Sequence, residues 1–231
     1  DNDEYVSKII IVDNGSTNKE DIRSGVAHYT KDIIILDQEK NLGSAGGYAA
    51  GIAYVKQLDC DYVFILDDDN VPEEGSVGVF LQRLREFDRD VVLVGNRVNI
   101  PQNEDVFFST LKPSTVPKGT FFETISLNKE RTCFTLLGIK KVAVERKQEP
   151  LDVVPNESFV YGGSFIPIDA IRRAPLPDAD LVLYGDDIEY SWGIKRLGYE
   201  SFICRSPKIF DIEMSFGEAS QVVGLFSEHT Q

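Results

Sequence analysis

Short apolar runs alternate with polar, glycine-containing segments through the first hundred residues. The apolar runs, rich in isoleucine, valine and aromatic residues, occupy residues 5–12, 33–36, 62–66 and 91–96. The five consecutive apolar residues at 62–66 are typical of a strand buried on both faces of a sheet, and the other runs are expected to be strands as well. The segments with a helical pattern lie near residues 19–29, 52–55 and 75–87. Strands that alternate with helices predict an α/β fold with a mostly parallel sheet and helices on both faces.

The third apolar run ends abruptly in three carboxylates, Asp67, Asp68 and Asp69, and Pro72 is expected to block any continuation of the strand. The carboxyl ends of strands are where open α/β sheets bind ligands. Adjacent carboxylates repel one another unless a cation offsets them, so Mg²⁺ or Mn²⁺ bridged to a substrate phosphate is the predicted partner. The alternative is a solvated acidic turn that caps a helix.

The loop after the first apolar run contains Asp13, Asn14, Gly15 and Ser16. Asp and Asn favour turns, Gly15 tolerates a positive φ, and Ser16 can cap the following helix. A strand end with such a loop can hold a nucleotide. A plain connection between strand and helix is the alternative.

Small residues dominate the segment Asn41-Leu42-Gly43-Ser44-Ala45-Gly46-Gly47, which runs into a helical pattern. Its backbone amides could face an anion at the helix N-terminus, and its glycines permit close approach of a ligand or another helix. The segment lacks the Gly-Lys-Ser/Thr ending of a P-loop and the acidic ribose partner of a dinucleotide fold. Both of those nucleotide-binding folds are therefore set aside.

Charge and cysteine content limit the classes of partner and the cellular compartment that the sequence favours. The 231 residues include 38 acidic and 24 basic side chains, a net charge of −14. This balance argues against nucleic acid or an anionic membrane surface as a direct partner, so a bound phosphate should arrive with its cation. Three dispersed cysteines without a Cys-x-x-Cys pair favour a reducing, cytoplasmic location. No apolar run here is long enough to span a membrane, which leaves peripheral association at the cytoplasmic membrane face open.

A second acidic pair, Asp186 and Asp187, lies in Tyr184-Gly185-Asp186-Asp187-Ile188-Glu189-Tyr190-Ser191-Trp192. Together with the three motifs above, it resembles family 2 glycosyltransferases of the GT-A fold. The Asn-Leu-Gly-x-Ala-Gly-Gly form is most similar to the galactofuranosyltransferase and rhamnosyltransferase branch. The resemblance implies a GT-A-like sheet flanked by helices and lacking the family's usual first strand.

The resemblance also implies roles for the acidic pair and its surroundings. Asp187 would be the general base of an inverting transfer, and Asp186 would orient it or the acceptor. Helix capping is the alternative role for both. Trp192 would stack on an acceptor sugar, or else belong to the core. Gly162 and Gly163 would line the acceptor side of the cleft.

The remaining implied contacts concern the donor and the metal. The donor contacts would be Asp13, Asn14, Ser16, Asn41, Gly43, Gly46, Asp67 and Asp68, and the metal ligands would be Asp67, Asp69 and Asp211. Asp211 stands where the family often has a histidine, and it can ligate Mg²⁺ or Mn²⁺. Gly193 stands where the family commonly has arginine after the tryptophan.

The predicted organisation is a nucleotide-sugar-binding half, an excursion or flap with a hairpin, an acceptor-binding and catalytic half, and a tail, at residues 5–100, 101–150, 151–215 and 216–231. The predicted function is transfer of a sugar from a UDP- or dTDP-linked donor to a saccharide or lipid-linked acceptor. The competing hypothesis is a catalytically silent glycan- or nucleotide-binding module. A nucleotidyltransferase is disfavoured because it would need a basic glycine-rich loop near the N-terminus.

Overall fold

The computed structural model describes residues 4–98, 106–108, 120–121, 125–126, 149–181 and 185–212. Its helices are α1 Lys19–Val26, α2 Gly43–Val55, α3 Ser76–Leu84, α4 Ile168–Arg173 and α5 Asp186–Arg196. Its strands are β1 Lys8–Asp13, β2 Asp32–Asp37, β3 Tyr62–Ile65, β4 Asn70–Pro72, β5 Val92–Arg97, β6 Thr120–Phe121, β7 Ile125–Ser126, β8 Val153–Asn156, β9 Ser164–Pro167 and β10 Ser201–Asp211. The predicted α/β fold is confirmed.

The larger sheet of the described residues has six strands in the order β3-β9-β5-β10-β4, with β8 also paired to β10. β5 and β10 run parallel, whereas the pairings of β9, β4 and β8 are antiparallel. The sheet is therefore mixed, whereas the sequence predicted a mostly parallel one. Since β9 is antiparallel to both β3 and β5, the carboxyl ends of β3, β5 and β10 meet at one edge. The polar residues that follow these strands converge there.

Strands β1 and β2 form a separate parallel pair, in register from Lys8 opposite Asp32 to Asp13 opposite Asp37. Among the described residues, β1 pairs only with β2, and β3 pairs only with β9. Helix α2 holds the pair against the rest of the molecule, and a Cβ at Gly51 would lie 3.1 Å from Val12. The small residues of α2 therefore allow the helix to pack closely on β1.

The core has two layers, one on each face of the larger sheet. In β5, Val92 and Val94 belong to the layer packed against α2, α4 and α5, which includes Ile171 and Ile194. Their neighbour Leu93 faces the layer beneath α3. This alternation is what a strand with period-two side chains requires when both faces are covered. The strand buried on both faces is β5, whereas β3, for which this was predicted, is half-buried except at Ile65.

The layer beneath α3 is largely aromatic. The ring of Phe80 on α3 stacks on Phe165 of β9 with centroids 5.0 Å apart, and Phe64 of β3 meets Phe80 edge-on. Such ring pairs add to the free energy of burial and restrict how the elements slide past each other. Helix α3 is thereby fixed across β3 and β9.

Several local predictions need correction or lie outside the described residues. The third strand ends at Ile65, before the carboxylates, and Pro72 does not stop it but closes the short edge strand β4. An edge position tolerates proline because its missing N–H is not needed by a neighbour. The hairpin predicted at residues 135–145 and the tail at 216–231 lie outside the described residues. No helix in the described ranges is long and apolar enough to cross a bilayer.

Candidate active site

Carboxylates from two strand ends meet around the side chain of Asn70. The Asn70 amide nitrogen donates to Oδ1 of Asp69 at 3.1 Å and to Oδ1 of Asp211 at 2.8 Å. Its carbonyl oxygen accepts from the backbone N–H of Asp67 at 3.1 Å. The pairing of β10 with β4 sets Asp211 opposite Asn70. Asn70 thus ties together the three residues predicted as metal ligands, although sequence reasoning did not single it out.

Arg97, at the end of β5, brings a positive charge into this carboxylate cluster. Its Nη2 and Nε donate to Oδ1 of Asp211 at 2.8 and 3.2 Å, and its Nη1 lies 3.5 Å from Oδ2 of Asp67. The side chain is 19% exposed. The sequence analysis missed Arg97, although its position directly after an apolar run is the same signal that marked Asp67.

Tyr48 of α2 supports the other oxygen of Asp67. Its hydroxyl donates to Asp67 Oδ1, and its ring stacks on Tyr161 with centroids 3.9 Å apart. Burial, and then the nearby Asp67 carboxylate, raise the pKa of Tyr48. The hydroxyl therefore remains protonated and acts as a donor. Both oxygens of Asp67 are engaged by protein side chains.

Crowding of negative charge is visible at Asp69. Burial raises the pKa of Asp69, and the carboxylates of Asp211 and Asp67 raise it further, while the Arg97 guanidinium opposes them. Asp68, in contrast, is exposed. The cluster therefore consists of Asp67, Asp69 and Asp211, and Asp68 lies outside it.

Gly162 leaves the space that the cluster needs. A Cβ on this residue would overlap Oδ2 of Asp67 and Oδ1 of Asn70. Gly163 has φ +88°, a left-handed backbone that favours glycine. Of the two glycines predicted on the acceptor side, Gly162 thus lies directly against the predicted metal ligand Asp67, whereas Gly163 lies against Ile209 of β10.

The acidic pair opens α5, as predicted, and its two members have different surroundings. Asp186 is 3% exposed, and its Oδ2 accepts from the Ser44 hydroxyl at 3.2 Å. Asp187 is less buried, and its Oδ1 accepts from the backbone N–H of Ile188 at 2.7 Å. Burial raises the pKa of Asp187, and the carboxylates of Asp186 and Asp67 raise it further. The hydrogen bond from Ile188 lowers the pKa and so opposes this rise. The hydroxyl of Tyr161, whose ring stacks on Tyr48, donates to the backbone carbonyl of Asp186 at 3.4 Å, so the start of α5 lies beside the strand-end cluster.

The first loop and the glycine-rich segment are joined to each other. Asn14 donates to Oδ1 of Asn41 at 3.2 Å and to the carbonyl of Gly43 at 2.9 Å, and it accepts from the N–H of Leu42 at 3.0 Å. A Cβ at Gly46 would overlap the Leu42 side chain. The contacts in the structure hold the two loops together, and contact of these residues with a donor stays a prediction.

Asp13 is 2% exposed, and its Oδ1 accepts from the backbone N–H of Ser16 at 2.8 Å. This hydrogen bond, with help from the Ser16 side chain, lowers the pKa of Asp13. The other carboxylate oxygen is buried and has no hydrogen-bond partner among the described residues, and the Lys19 ammonium lies 4.0 Å from it. A buried acceptor of this kind has unused capacity for an N–H or O–H group.

Trp192 on α5 is 45% exposed, so the alternative that it is a core residue is wrong. Gly193, its neighbour, is buried, and a Cβ there would lie 3.9 Å from Pro175. Trp192 is available to stack on a ligand, and that role stays a prediction.

The carboxylate cluster offers the oxygen ligands that a hard divalent cation prefers, but its side chains are not arranged around a common metal position. Within the described residues, no three histidine, cysteine, aspartate or glutamate side chains group as metal ligands do. Nevertheless, Asp69 and Asp211 share one amide donor and crowd Asp67, and carboxylate oxygens are the ligands that Mg²⁺ and Mn²⁺ prefer. The donor set fits such a cation.

Solved structures with the same architecture define the class of protein. The structure of GalNAc-T7 with UDP, GalNAc and Mn²⁺ aligns with 91% of this chain and 38% of its own, with a TM-score of 0.59 and 12% identity. The Staphylococcus aureus protein TarS aligns with 89% of this chain and 31% of its own, with a TM-score of 0.50 and 12% identity. At such identities the likeness shows the fold, which is the GT-A glycosyltransferase fold.

Sequence comparison then identifies the family. The model described as glycosyl transferase family 2 matches residues 1–143, which is more than half of the chain. The chain belongs to glycosyl transferase family 2, as its motifs predicted.

Curated relatives point to one branch of this family. Galactofuranosyltransferase GlfT1 of Mycobacterium tuberculosis is 32% identical over 196 residues, covering 85% of this chain and 57% of the relative. The GlfT1 protein of Mycolicibacterium smegmatis is 20% identical over 196 residues, covering 85% of this chain and 58% of the relative. Glycosyltransferase GlyG of Streptococcus pneumoniae is 31% identical over 102 residues, covering 44% and 33%. The chain thus spans little more than half the length of its mycobacterial relatives.

Proposed function

We propose that this chain is the catalytic domain of an inverting, metal-dependent glycosyltransferase. It moves a sugar from a UDP- or dTDP-linked donor to a saccharide or lipid-linked saccharide, acting in the cytoplasm. The galactofuranosyltransferase relatives support transfer of a sugar, and the free thiols of Cys60 and Cys204 support a reducing compartment.

The observation that carries this proposal is the position of Asp187 relative to the strand-end carboxylates. Tyr48 donates to Asp67 and stacks on Tyr161, whose hydroxyl donates to the backbone carbonyl of Asp186 at 3.4 Å, so the start of α5 and the edge of the sheet border a common space. A base on one side of that space and a diphosphate-binding edge on the other are what an inverting transfer needs. Asp186 is already held by Ser44, which leaves Asp187 as the better candidate for the base.

The proton transfer follows from this arrangement. An acceptor hydroxyl gives its proton to Asp187 as its oxygen attacks the anomeric carbon from the face opposite the diphosphate. The bond between that carbon and the phosphate oxygen breaks, and the nucleoside diphosphate leaves with the electron pair. Partial burial of Asp187 raises its pKa and so makes it a stronger base than an exposed carboxylate.

At the donor end, Asp67, Asp69 and Asp211 would hold Mn²⁺ or Mg²⁺. When bound, such an ion offsets the negative charge that develops on the leaving diphosphate. Tyr48 keeps Asp67 in a single orientation by hydrogen bonding and by its stack on Tyr161. The Mn²⁺ and UDP found with GalNAc-T7 support this proposal for the present chain.

A thermal-shift panel tests the donor and the metal together. UDP-, dTDP- and GDP-sugars are each added to the full-length protein with Mn²⁺ or with EDTA. A ligand that binds only the folded state raises stability in proportion to ln(1 + [L]/Kd). We expect a UDP- or dTDP-sugar to raise the Tm only with Mn²⁺, and Asp69→Asn to abolish the rise because it removes a charged ligand.

The control for this experiment is Asp88→Asn, which removes an exposed carboxylate from the loop after α3. This variant should respond to donor and Mn²⁺ like the unchanged protein. An equal shift in EDTA would contradict metal-dependent donor binding.

A catalytically silent binding module is the second candidate. Two observations support it. Arg97 already binds Asp211 and Asp67, and no three side chains in the described residues are arranged as metal ligands. Tight, metal-dependent donor binding without turnover in the full-length protein would establish this alternative.

A further inference from the structure

Arg97 occupies the centre of the carboxylate cluster from a rigid position. It is the last residue of β5, opposite Ile209 of β10, and the next residue, Val98, donates its N–H to the carbonyl of Ile209 at 3.1 Å. The backbone at Arg97 and Val98 is therefore held against β10. Any movement of its charge must come from rotation of its long side chain.

The guanidinium binds carboxylate oxygens of two of the residues proposed to hold the metal ion. Two of its nitrogens donate to Oδ1 of Asp211 at 2.8 and 3.2 Å, and a third lies 3.5 Å from Oδ2 of Asp67. Asp211 Oδ1 also accepts from the Asn70 amide. A carboxylate oxygen that already accepts from three nitrogens has little capacity left for a metal ion.

Charge balance explains why an arginine would be placed there. Three carboxylates within one partly buried cluster repel each other, and one guanidinium offsets part of that repulsion. Arginine does not lose its proton under ordinary conditions, so its charge leaves the cluster only if the side chain moves. The planar donor fork of the guanidinium also matches phosphate oxygens.

We propose that Arg97 is a resident counter-cation that competes with a divalent metal ion for Asp67 and Asp211 and transfers its hydrogen bonds to the donor diphosphate when the metal ion binds. The diphosphate half of this exchange rests on the proposed function. The competition for the carboxylates does not, because it needs only the cluster itself. The exchange would make metal binding and diphosphate binding mutually supportive.

The decisive measurement is a calorimetric titration of Mn²⁺ into the full-length protein without nucleotide. Arg97→Gln removes the charge and keeps a polar side chain, so we expect Mn²⁺ to bind roughly tenfold more tightly than to the unchanged protein. Arg83→Gln is the matched control, since Arg83 is also a partly buried arginine paired with carboxylates, Glu86 at 2.8 Å and Asp152 at 3.3 Å. It should leave the Mn²⁺ affinity unchanged.

The opposite result would identify a purely structural role. If Arg97 only clamps the carboxylates in place, its removal lets them separate and Mn²⁺ binds more weakly or equally. Weaker or equal Mn²⁺ binding by Arg97→Gln overturns the proposal, as does failure of both proteins to bind Mn²⁺. If Arg97→Gln does not fold, Arg97→Lys decides: a lysine keeps the charge but lacks the planar donor fork, so Mn²⁺ should bind about threefold more tightly, whereas a lost clamp weakens it.

A second titration follows the diphosphate. At saturating Mn²⁺, UDP and dTDP are titrated into the unchanged protein, Arg97→Gln and Arg83→Gln. We expect roughly tenfold weaker binding of the preferred nucleotide by Arg97→Gln alone, because a charge-assisted phosphate contact is lost. Equal affinity would overturn the exchange. No nucleotide binding by the unchanged protein would contradict the proposed function, while the Mn²⁺ titration would still decide the competition.

Discussion

At the scale of single residues, the site depends on side chains whose partners come from distant parts of the chain. Sequence patterns located Asp67, Asp69, Asp186 and Asp187, because each follows or precedes a recognisable element. The patterns could not reveal that Tyr48 bonds to Asp67, since that contact depends on how α2 packs across the sheet. Spatial neighbours of a motif follow from packing, which a local pattern does not encode.

Gly162→Ala tests how tightly the cluster is packed. The added methyl group would overlap oxygens of Asp67 and Asn70, so one of them must move. We expect a loss of about 1–3 kcal/mol in the free energy of unfolding and at least tenfold weaker donor binding. Urea denaturation and nucleotide titration measure the two effects. Gly25→Ala, whose Cβ meets nothing within 4 Å, is the control; a harmless Gly162→Ala would refute the packing argument.

Asp187→Asn should change stability with a defined dependence on pH. The pKa of Asp187 is raised in the folded protein, mainly by burial, so the folded state favours the protonated acid. The stabilising effect of this protonation is present below the pKa of the unfolded chain and is lost as the pH rises through the folded pKa. The neutral amide avoids that loss. We therefore expect Asp187→Asn to have a higher Tm than the unchanged protein at pH 8.

The difference in Tm between Asp187→Asn and the unchanged protein should shrink as the pH is lowered towards the ordinary range of aspartate, near 4. Metal-free, nucleotide-free differential scanning calorimetry between pH 4 and 8 measures it. A difference that stays constant or grows on acidification would show that burial of the charge is not its cause.

At the scale of elements, most strands and helices of the first hundred residues were predictable and the edge strands were not. β4 and β8 each contain a proline, Pro72 and Pro155, and each is short. A run of three or four residues with proline is not a strand signal by itself, because it forms only where β10 offers hydrogen-bond partners. The antiparallel insertion of β9 between β3 and β5 likewise joins segments far apart in sequence.

Gly193 lies inside helix α5, at a position where the family commonly has arginine. Glycine in a helix interior costs about 1 kcal/mol relative to alanine. A Cβ at Gly193 would be in ordinary contact with Pro175 at 3.9 Å. We expect Gly193→Ala to raise the free energy of unfolding by about 0.5–1 kcal/mol and the Tm by roughly 2–4 °C per kcal/mol.

The control for Gly193→Ala is Gly198→Ala, just beyond the same helix. Gly198 has φ +96°, so alanine there is strained even though nothing blocks its Cβ. The two substitutions should therefore change the Tm in opposite directions. A fall in Tm for Gly193→Ala would mean that the glycine is required for packing.

At the scale of the whole molecule, the fold places its charge where the proposed chemistry needs it. The carboxyl ends of β3, β5 and β10 bring Asp67, Arg97 and Asp211 to one edge, and the start of α5 adds Asp187. The sequence predicted the class of fold and most of the acidic residues, because each motif lies at the end of an element. It could not predict Arg97 as the counter-charge, since this depends on the parallel pairing of β5 with β10.

Donor consumption in the presence of a glycan acceptor tests whether Asp187 is the general base of a glycosyl transfer. In the full-length protein, Asp187→Asn should keep donor and Mn²⁺ binding while turnover falls about 10²-fold or more, because the amide cannot accept the proton. Asp186→Asn, which alters a residue held by Ser44, should have a milder effect. Undiminished turnover in Asp187→Asn would contradict the assignment.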